Sequence, residues 1–402
     1  MSRQSRRLIS AALLACSLGA IAPAASSAAF DVGPAGVQEF YEGPQHSWPE
    51  GDGKVLWARK ISGPAALKSA KATYRVLYTS RGTDGGRIPV SGLVSIPKGK
   101  APKGGWKVIS WGHGTTGLAD VCAPSRVTAS SSFKSYVTYS DATLNRWLKR
   151  GWVVARSDFE GLGTPWHEHP YLVGSSEGRG IIDIVRAARG IDKKVGKSYA
   201  IAGHSQGAHG ALFAGSLAAT VAPELKLKAV VAYAPASHLK EQAQLLGNLQ
   251  TPNGLSGLAI MIAKGSALVS PGFSLDAVLS DPAKALLPKL DTECVDTIGS
   301  TSAFGALAPA KLVADGQDLS GLYPALEATN PGVKISVPTL ILQGGADTTV
   351  FKGFTDQLIP ELKGKGTKVT YVVYPTADHG GIVAKTPKAA KKADSFLAKL
   401  LK

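Results

Sequence analysis

Gly203-His204-Ser205-Gln206-Gly207 places one serine between two glycines, after an apolar run at 199–202 and before a small-residue stretch at 208–219. That context makes the pentapeptide a nucleophile elbow, a sharp strand-to-helix turn that lifts a serine hydroxyl above the edge of a sheet. The flanking glycines let strand and helix approach, and the helix N-terminus points at the reacting carbonyl. A serine hydroxyl is a weak nucleophile until a base takes its proton, so a histidine and an orienting carboxylate must follow. Two Gly-rich turns further on supply them: Gly344-Gly345-Ala346-Asp347 and Asp378-His379-Gly380-Gly381. Asp347 is expected to hold the imidazole tautomer and His379 to shuttle the proton. Asp378 adjoins His379 too closely to reach round to its ring and reads as a turn former. The third requirement is an oxyanion hole. Its first donor is the backbone N–H of Gln206, and its second the N–H of Gly114 or Thr115 in Trp111-Gly112-His113-Gly114-Thr115-Thr116-Gly117.

These residues need a scaffold that delivers them to one edge. Runs at 74–80 and 90–96 alternate around a Gly-rich turn at 82–86, which predicts an antiparallel hairpin. Six further strand-like runs, at 106–111, 152–157, 199–202, 229–234, 339–343 and 369–374, are apolar enough to be buried on both faces. Helix-like stretches such as 180–189 lie between them. The pattern predicts a mostly parallel eight-stranded sheet flanked by helices, an α/β architecture with its site at the carboxyl ends of the strands. Residues 30–60 read as a surface segment. The rhythm breaks at 237–331, which carries no convincing strand but an apolar run at 255–269, and is too long for a structureless loop. It reads as a helical cap inserted after the sixth strand. The core is thus expected at 30–236 and 332–402. Asp158, ending the fourth strand, reads as structural support through hydrogen bonds.

Residues 1–29 have the three-part layout of a secretory leader: Arg3, Arg6 and Arg7, then an apolar stretch, then Ser27-Ala28-Ala29. A competing reading acylates Cys16 as a lipoprotein. Loss of the whole leader leaves Cys122 and Cys294, an even pair expected to be bridged in an exported chain; two separate buried thiols are the alternative. Neither cysteine has a partner at metal-ligand spacing, and His167-Glu168-His169 reads as a polar loop rather than a metal site. No metal or organic cofactor is needed by the chemistry.

The chain resembles the secretory lipase family, lipase A type, within the α/β-hydrolases. The resemblance rests on Gly112-His113-Gly114-Thr115 leading to Cys122-Ala123-Pro124-Ser125, on Asp158-Phe159-Glu160-Gly161-Leu162-Gly163, on the elbow, on the position of the insertion, and on the turns bearing Asp347 and His379. It covers most of 70–385. It implies an ester hydrolase whose cap carries an acyl-binding tunnel and whose Cys122 bridges a cysteine in the cap, here Cys294. Fungal members have Gly after the nucleophile where this chain has Gln206, which leaves acyl preference open. The reading is therefore a secreted carboxylic-ester hydrolase acting on ester or lipid substrates. A peptidase on the same triad and a non-catalytic lipid- or partner-binding module are the alternatives.

The 402 residues carry 45 Lys and Arg against 29 Asp and Glu, a formal charge of +16, yet only 18% are charged and 44% are hydrophobic. That balance excludes a disordered polyelectrolyte. No apolar run of about 20 residues follows the leader, so no transmembrane span is expected in the mature chain. Without the leader the surplus is about +13, some of it in a C-terminal amphipathic stretch where Lys388, Lys391, Lys392 and Lys399 accompany Phe396, Leu397, Leu400 and Leu401. No nucleic-acid motif accompanies the charge, so it points to contact with anionic lipid surfaces or cell envelopes and not to nucleic acid.

Overall fold

The computed structural model describes residues 30–44 and 48–402; the leader and Cys16 lie outside the described residues. Among the described residues nine strands form one sheet: β1 (Val55–Ile61), β2 (Ala70–Arg81), β3 (Arg87–Pro97), β4 (Trp106–Gly112), β5 (Val153–Ser157), β6 (Val195–His204), β7 (Lys226–Tyr233), β8 (Thr339–Gly344) and β9 (Val369–Tyr374). Their order is β1-β2-β3-β5-β4-β6-β7-β8-β9. The first three and β5 pair antiparallel, and β5 through β9 run parallel in that order.

Eight strands coincide with the predicted runs, and the predicted hairpin is β2–β3, closing at Arg81 and Arg87. The expected count of eight is corrected by β1. It is an edge strand whose residues alternate between buried and half-exposed, with a register irregularity between Val55 and Trp57. Charged Arg59 and Lys60 interrupt its apolar pattern, as edge strands commonly require, so 30–60 reads in sequence as surface chain.

The central strands are buried on both faces, which is why their sequences are near-continuous Val, Ile and Ala. One face packs on Ile181, Ile184, Val185, Ala211 and Leu212 from helices Gly174–Ile191 and Gln206–Val221. The other packs on Leu144, Trp147 and Leu148 from Asp141–Lys149 and on Ala389, Ala393 and Leu397 from the C-terminal helix Pro387–Leu400. In that helix the apolar positions face the sheet and the lysines solvent, so the predicted amphipathic stretch is a packed element.

Between β7 and β8 the chain forms a series of short helices from Leu239–Leu246 to Tyr323–Ala328. They enclose a separate apolar cluster containing Ile260, Met261, Leu290, Ile298 and Phe304. Cys122 and Cys294 are bridged, with their Cα atoms 5.5 Å apart. Beside the bridge Gly117 pairs with Cys294, and Val295 N–H donates to the Thr116 carbonyl at 2.9 Å. The loop that follows β4 is thereby sewn to the cap. Among the described residues no helix is long and apolar enough to cross a membrane.

Candidate active site

β6 ends at His204, and Ser205 precedes the helix Gln206–Val221 with φ 55° and ψ −117°. Non-glycine residues rarely adopt positive φ, and when they do so at a turn the surrounding packing must hold them there. The glycines on either side show what holds this one. A Cβ on Gly203 would lie 2.0 Å from the Gly207 carbonyl oxygen, and one on Gly207 would lie 2.1 Å from the Gly112 backbone. Strand β4, strand β6 and the helix therefore touch backbone to backbone under the serine.

The Gly-rich turns after β8 and β9 bring Asp347 and His379 to the same edge. Asp347 is buried; its Oδ1 accepts backbone N–H bonds from Thr349 at 2.9 Å and Val350 at 2.8 Å. Its Oδ2 accepts from His379 Nδ1 at 2.7 Å and from Gln343 Nε2 at 3.3 Å. With Nδ1 donating, His379 presents Nε2 as the free acceptor. Ser205 and His379 line one cavity of about 860 Å³; among the described residues no hydrogen bond joins their side chains. Asp378 accepts the Gly381 N–H at 2.6 Å and so shapes the turn. Asp158 is fully buried and accepts from Ser91 Oγ at 2.6 Å and from the Ser125 N–H at 3.0 Å. Burial raises its carboxyl above the ordinary range, against those hydrogen bonds. It ties β5 to the segment after Cys122.

Gly114 and Thr115 face the cavity with Ser205. Gly114 stands close to the Tyr139 hydroxyl, which a Cβ on it would meet at 3.0 Å, and Thr115 Oγ1 meets the Tyr171 hydroxyl at 2.6 Å and holds its residue in place by the side chain. The cap contributes an apolar stretch of wall: Leu239, Leu246, Leu255, Leu258, Ile262 and Val295. The apolar run at 255–269 divides in two. Leu255, Leu258 and Ile262 share the cavity face of helix Leu255–Ala267, while Ile260 and Met261 fill the cap's own core.

Two supporting groups escape sequence reasoning. The first lies behind His379. His204 Nε2 meets the His379 carbonyl oxygen at 2.9 Å, so Nε2 donates, and Nδ1 accepts from the Tyr139 hydroxyl at 2.6 Å. Burial, followed by the adjacent His379, depresses the His204 pKa well below that of a free imidazole, which fits this neutral tautomer.

The second group lies under Gln206. Its Nε2 donates to Glu177 Oε1 at 2.9 Å and to His169 Nε2 at 2.8 Å. His169 Nδ1 in turn donates to the Glu160 carbonyl at 2.7 Å, and burial pushes its pKa down to about 4. Glu177 Oε2 lies 2.7 Å from His209 Nδ1, and His209 Nε2 donates to the Thr329 carbonyl at 2.8 Å, where the chain leaves the cap. His167 and Glu168 are exposed while His169 points inward, and Glu168 pairs with Lys264 at 3.4 Å. The only hint of this network in the sequence is the excess of polar residues in otherwise buried helices.

A strand-elbow-helix serine, a histidine–carboxylate pair from the turns after the last two strands and a mostly parallel sheet define the α/β-hydrolase fold. Residues 127–308 match the family model of the secretory lipases. In sequence the chain is 28% identical over 201 residues to lipase A of Moesziomyces aphidis, an alignment covering 47% of this chain; the chain spans only 40% of the length of that curated relative. Among solved structures it is similar to Candida antarctica lipase A in its closed state, with TM-score 0.70, 21% identity, and 84% and 80% of the two chains covered. It is equally similar to the rice cell wall degrading esterase LipA of Xanthomonas oryzae, with TM-score 0.70, 20% identity, and 87% and 100% covered. The resemblance to secretory lipases thus extends from motifs to sequence and fold.

Proposed function

We propose that the chain is an exported serine carboxylic-ester hydrolase of the lipase and esterase kind. The observation that carries this reading is Ser205 in a positive-φ elbow beside a His379–Asp347 pair, under an apolar cap wall. Ser205 Oγ attacks the ester carbonyl as His379 Nε2 takes its proton. Asp347 stabilises the resulting imidazolium and fixes its tautomer without itself taking a proton. The oxyanion is met by the Gln206 N–H at the helix start and by the N–H of Gly114 or Thr115, both of which line the cavity. His379 then protonates the leaving alcohol, and water, deprotonated by the same ring, releases the acid from the acyl-enzyme. The leader at 1–29, together with a bridged cysteine pair, supports export.

A fluorophosphonate probe is expected to label wild type at Ser205 and leave Ser205→Ala unlabelled; a folded wild type that resists labelling would overturn the enzymatic reading. Asp347→Asn is expected to lower kcat by on the order of 10³- to 10⁴-fold, the usual cost of a wrong tautomer, and near-full activity would mean another carboxylate orients the ring. A nitrophenyl-ester series from acetate to palmitate, with and without lipid aggregates, separates lipase from esterase. Preference for short soluble esters without interfacial gain would assign an esterase.

A further inference from the structure

The amino ends of the parallel strands, about 30 Å along ten-residue β6 from the nucleophile, hold a second recess of about 840 Å³. Two turns build it: the β3–β4 connection with Lys100, and the turn from helix Gly174–Ile191 into β6 with Lys193 and Lys194. Lys71, Arg189 and Lys197 complete its cationic lining.

Three observations set this recess apart from ordinary solvated lysine surface. First, the charge is unbalanced. Among the described residues six cations and one acid, Asp192, line the recess, and Asp192 is already turned to the Lys194 N–H at 2.8 Å. Among the described residues none of the six cations forms a salt bridge. Second, Arg189, which lines the recess, has its Nε buried without a hydrogen-bond partner, a costly state for a charged donor. Third, the two turns are clamped together. Trp106 N–H donates to the Lys194 carbonyl at 2.9 Å. Gly105, at φ 83°, lies so close that a Cβ there would sit 2.5 Å from the same oxygen. The lysines are therefore held on fixed backbone, with the repulsion between them already built into the fold.

We propose that this recess is a binding site for a phosphate-bearing polyanion. A single carboxylate would neutralise one or two of six cations, whereas several linked phosphates match their number, with the Arg189 fork and the lysine point charges as donors. Because the recess opens at the edge opposite the catalytic cavity, an enzyme bound there keeps its cap and active-site mouth free. The ligand's phosphates come either from a free chain or from lipid headgroups, and the two sources give different binding behaviour.

Tripolyphosphate, titrated calorimetrically at low salt, is the direct probe. Saturable binding is expected that weakens with added salt and falls at least tenfold in Lys100→Glu/Lys193→Glu/Lys194→Glu. A charge-matched control, Lys388→Glu/Lys391→Glu/Lys392→Glu on the C-terminal helix, is expected to bind like wild type. Both variants are expected to hydrolyse nitrophenyl butyrate at the wild-type rate, which reports their folding; should the first fail, Lys100→Gln/Lys193→Gln/Lys194→Gln replaces it. Sedimentation with phosphatidylglycerol vesicles, but not phosphatidylcholine, that tripolyphosphate displaces would identify lipid headgroups as the source. Tripolyphosphate binding without vesicle binding would identify a free chain. Absence of saturable binding to either probe, or equal loss in both charge-reversed variants, would overturn the proposal.

Discussion

Ser205 is held at φ 55° by packed backbone, and such a conformation costs on the order of 1–3 kcal/mol that the rest of the fold must offset. The residues beneath it form a buried polar network. Gln206, His169 and Glu177 are buried and joined by hydrogen bonds of 2.8–2.9 Å. The folded chain keeps His169 unprotonated until about pH 4, whereas an unfolded imidazole takes its proton near 6.5. Its contribution to stability is therefore complete above pH 6.5 and is lost as pH falls through about 4. Asp183 works in the opposite direction. Burial, opposed by Ser80 and Arg186, raises its pKa to about 6, so its contribution fades as pH rises from about 4 to 6. The difference between wild type and His169→Gln removes the Asp183 component, which both proteins share. Between pH 7.5 and 5 the melting temperature of wild type is expected to fall further than that of the variant. Parallel melting curves across that range would show that His169 titrates normally in the fold.

Elements rather than single residues shape the substrate cavity. Helix Leu255–Ala267 turns Leu255, Leu258 and Ile262 toward the cavity that Ser205 lines, at spacings of three and four, the periodicity of one helical face. Leu258→Trp is expected to raise KM for palmitate esters at least fivefold while leaving acetate and butyrate esters within about twofold. A uniform loss across chain lengths would place the acyl chain elsewhere. This division of the helix was not readable from composition, because an all-round apolar run fits both packing and lining. The strands were far more legible. β4 to β8 are largely buried on both faces, so their apolar runs stand out, and the Gly-rich ends of β8 and β9 marked Asp347 and His379. β1 escaped because its outer positions are charged and half-exposed. Glu177, His209 and Tyr139 escaped for a different reason. Their partners lie 29 to 120 residues away, and no local pattern encodes which distant polar groups will meet.

At the scale of the whole molecule the chain has two apolar layers on the sheet and a third cluster in the cap. The disulfide spans 172 residues and joins the chain after β4 to the cap. Bridges of this kind stabilise by about 2–4 kcal/mol, chiefly by restricting the unfolded chain. Cys122→Ser/Cys294→Ser is expected to lower the melting temperature and to speed hydrogen exchange in 237–331, while amides of β4 and β6 keep their protection. Equal loosening of cap and sheet would mean that the two open as one unit.

Strands β7 and β8 are neighbours in the sheet, although the entire cap separates them in sequence. The entropic cost of closing such a connection grows only logarithmically with its length, about 0.6 kcal/mol per doubling. Whole helices can therefore be added to, trimmed from or exchanged in this segment at little cost to the sheet that carries Ser205, Asp347 and His379. The architecture separates the inheritance of a reaction from the inheritance of its substrate range: descendants can keep one and rewrite the other by recombination at a single pair of adjacent strand ends.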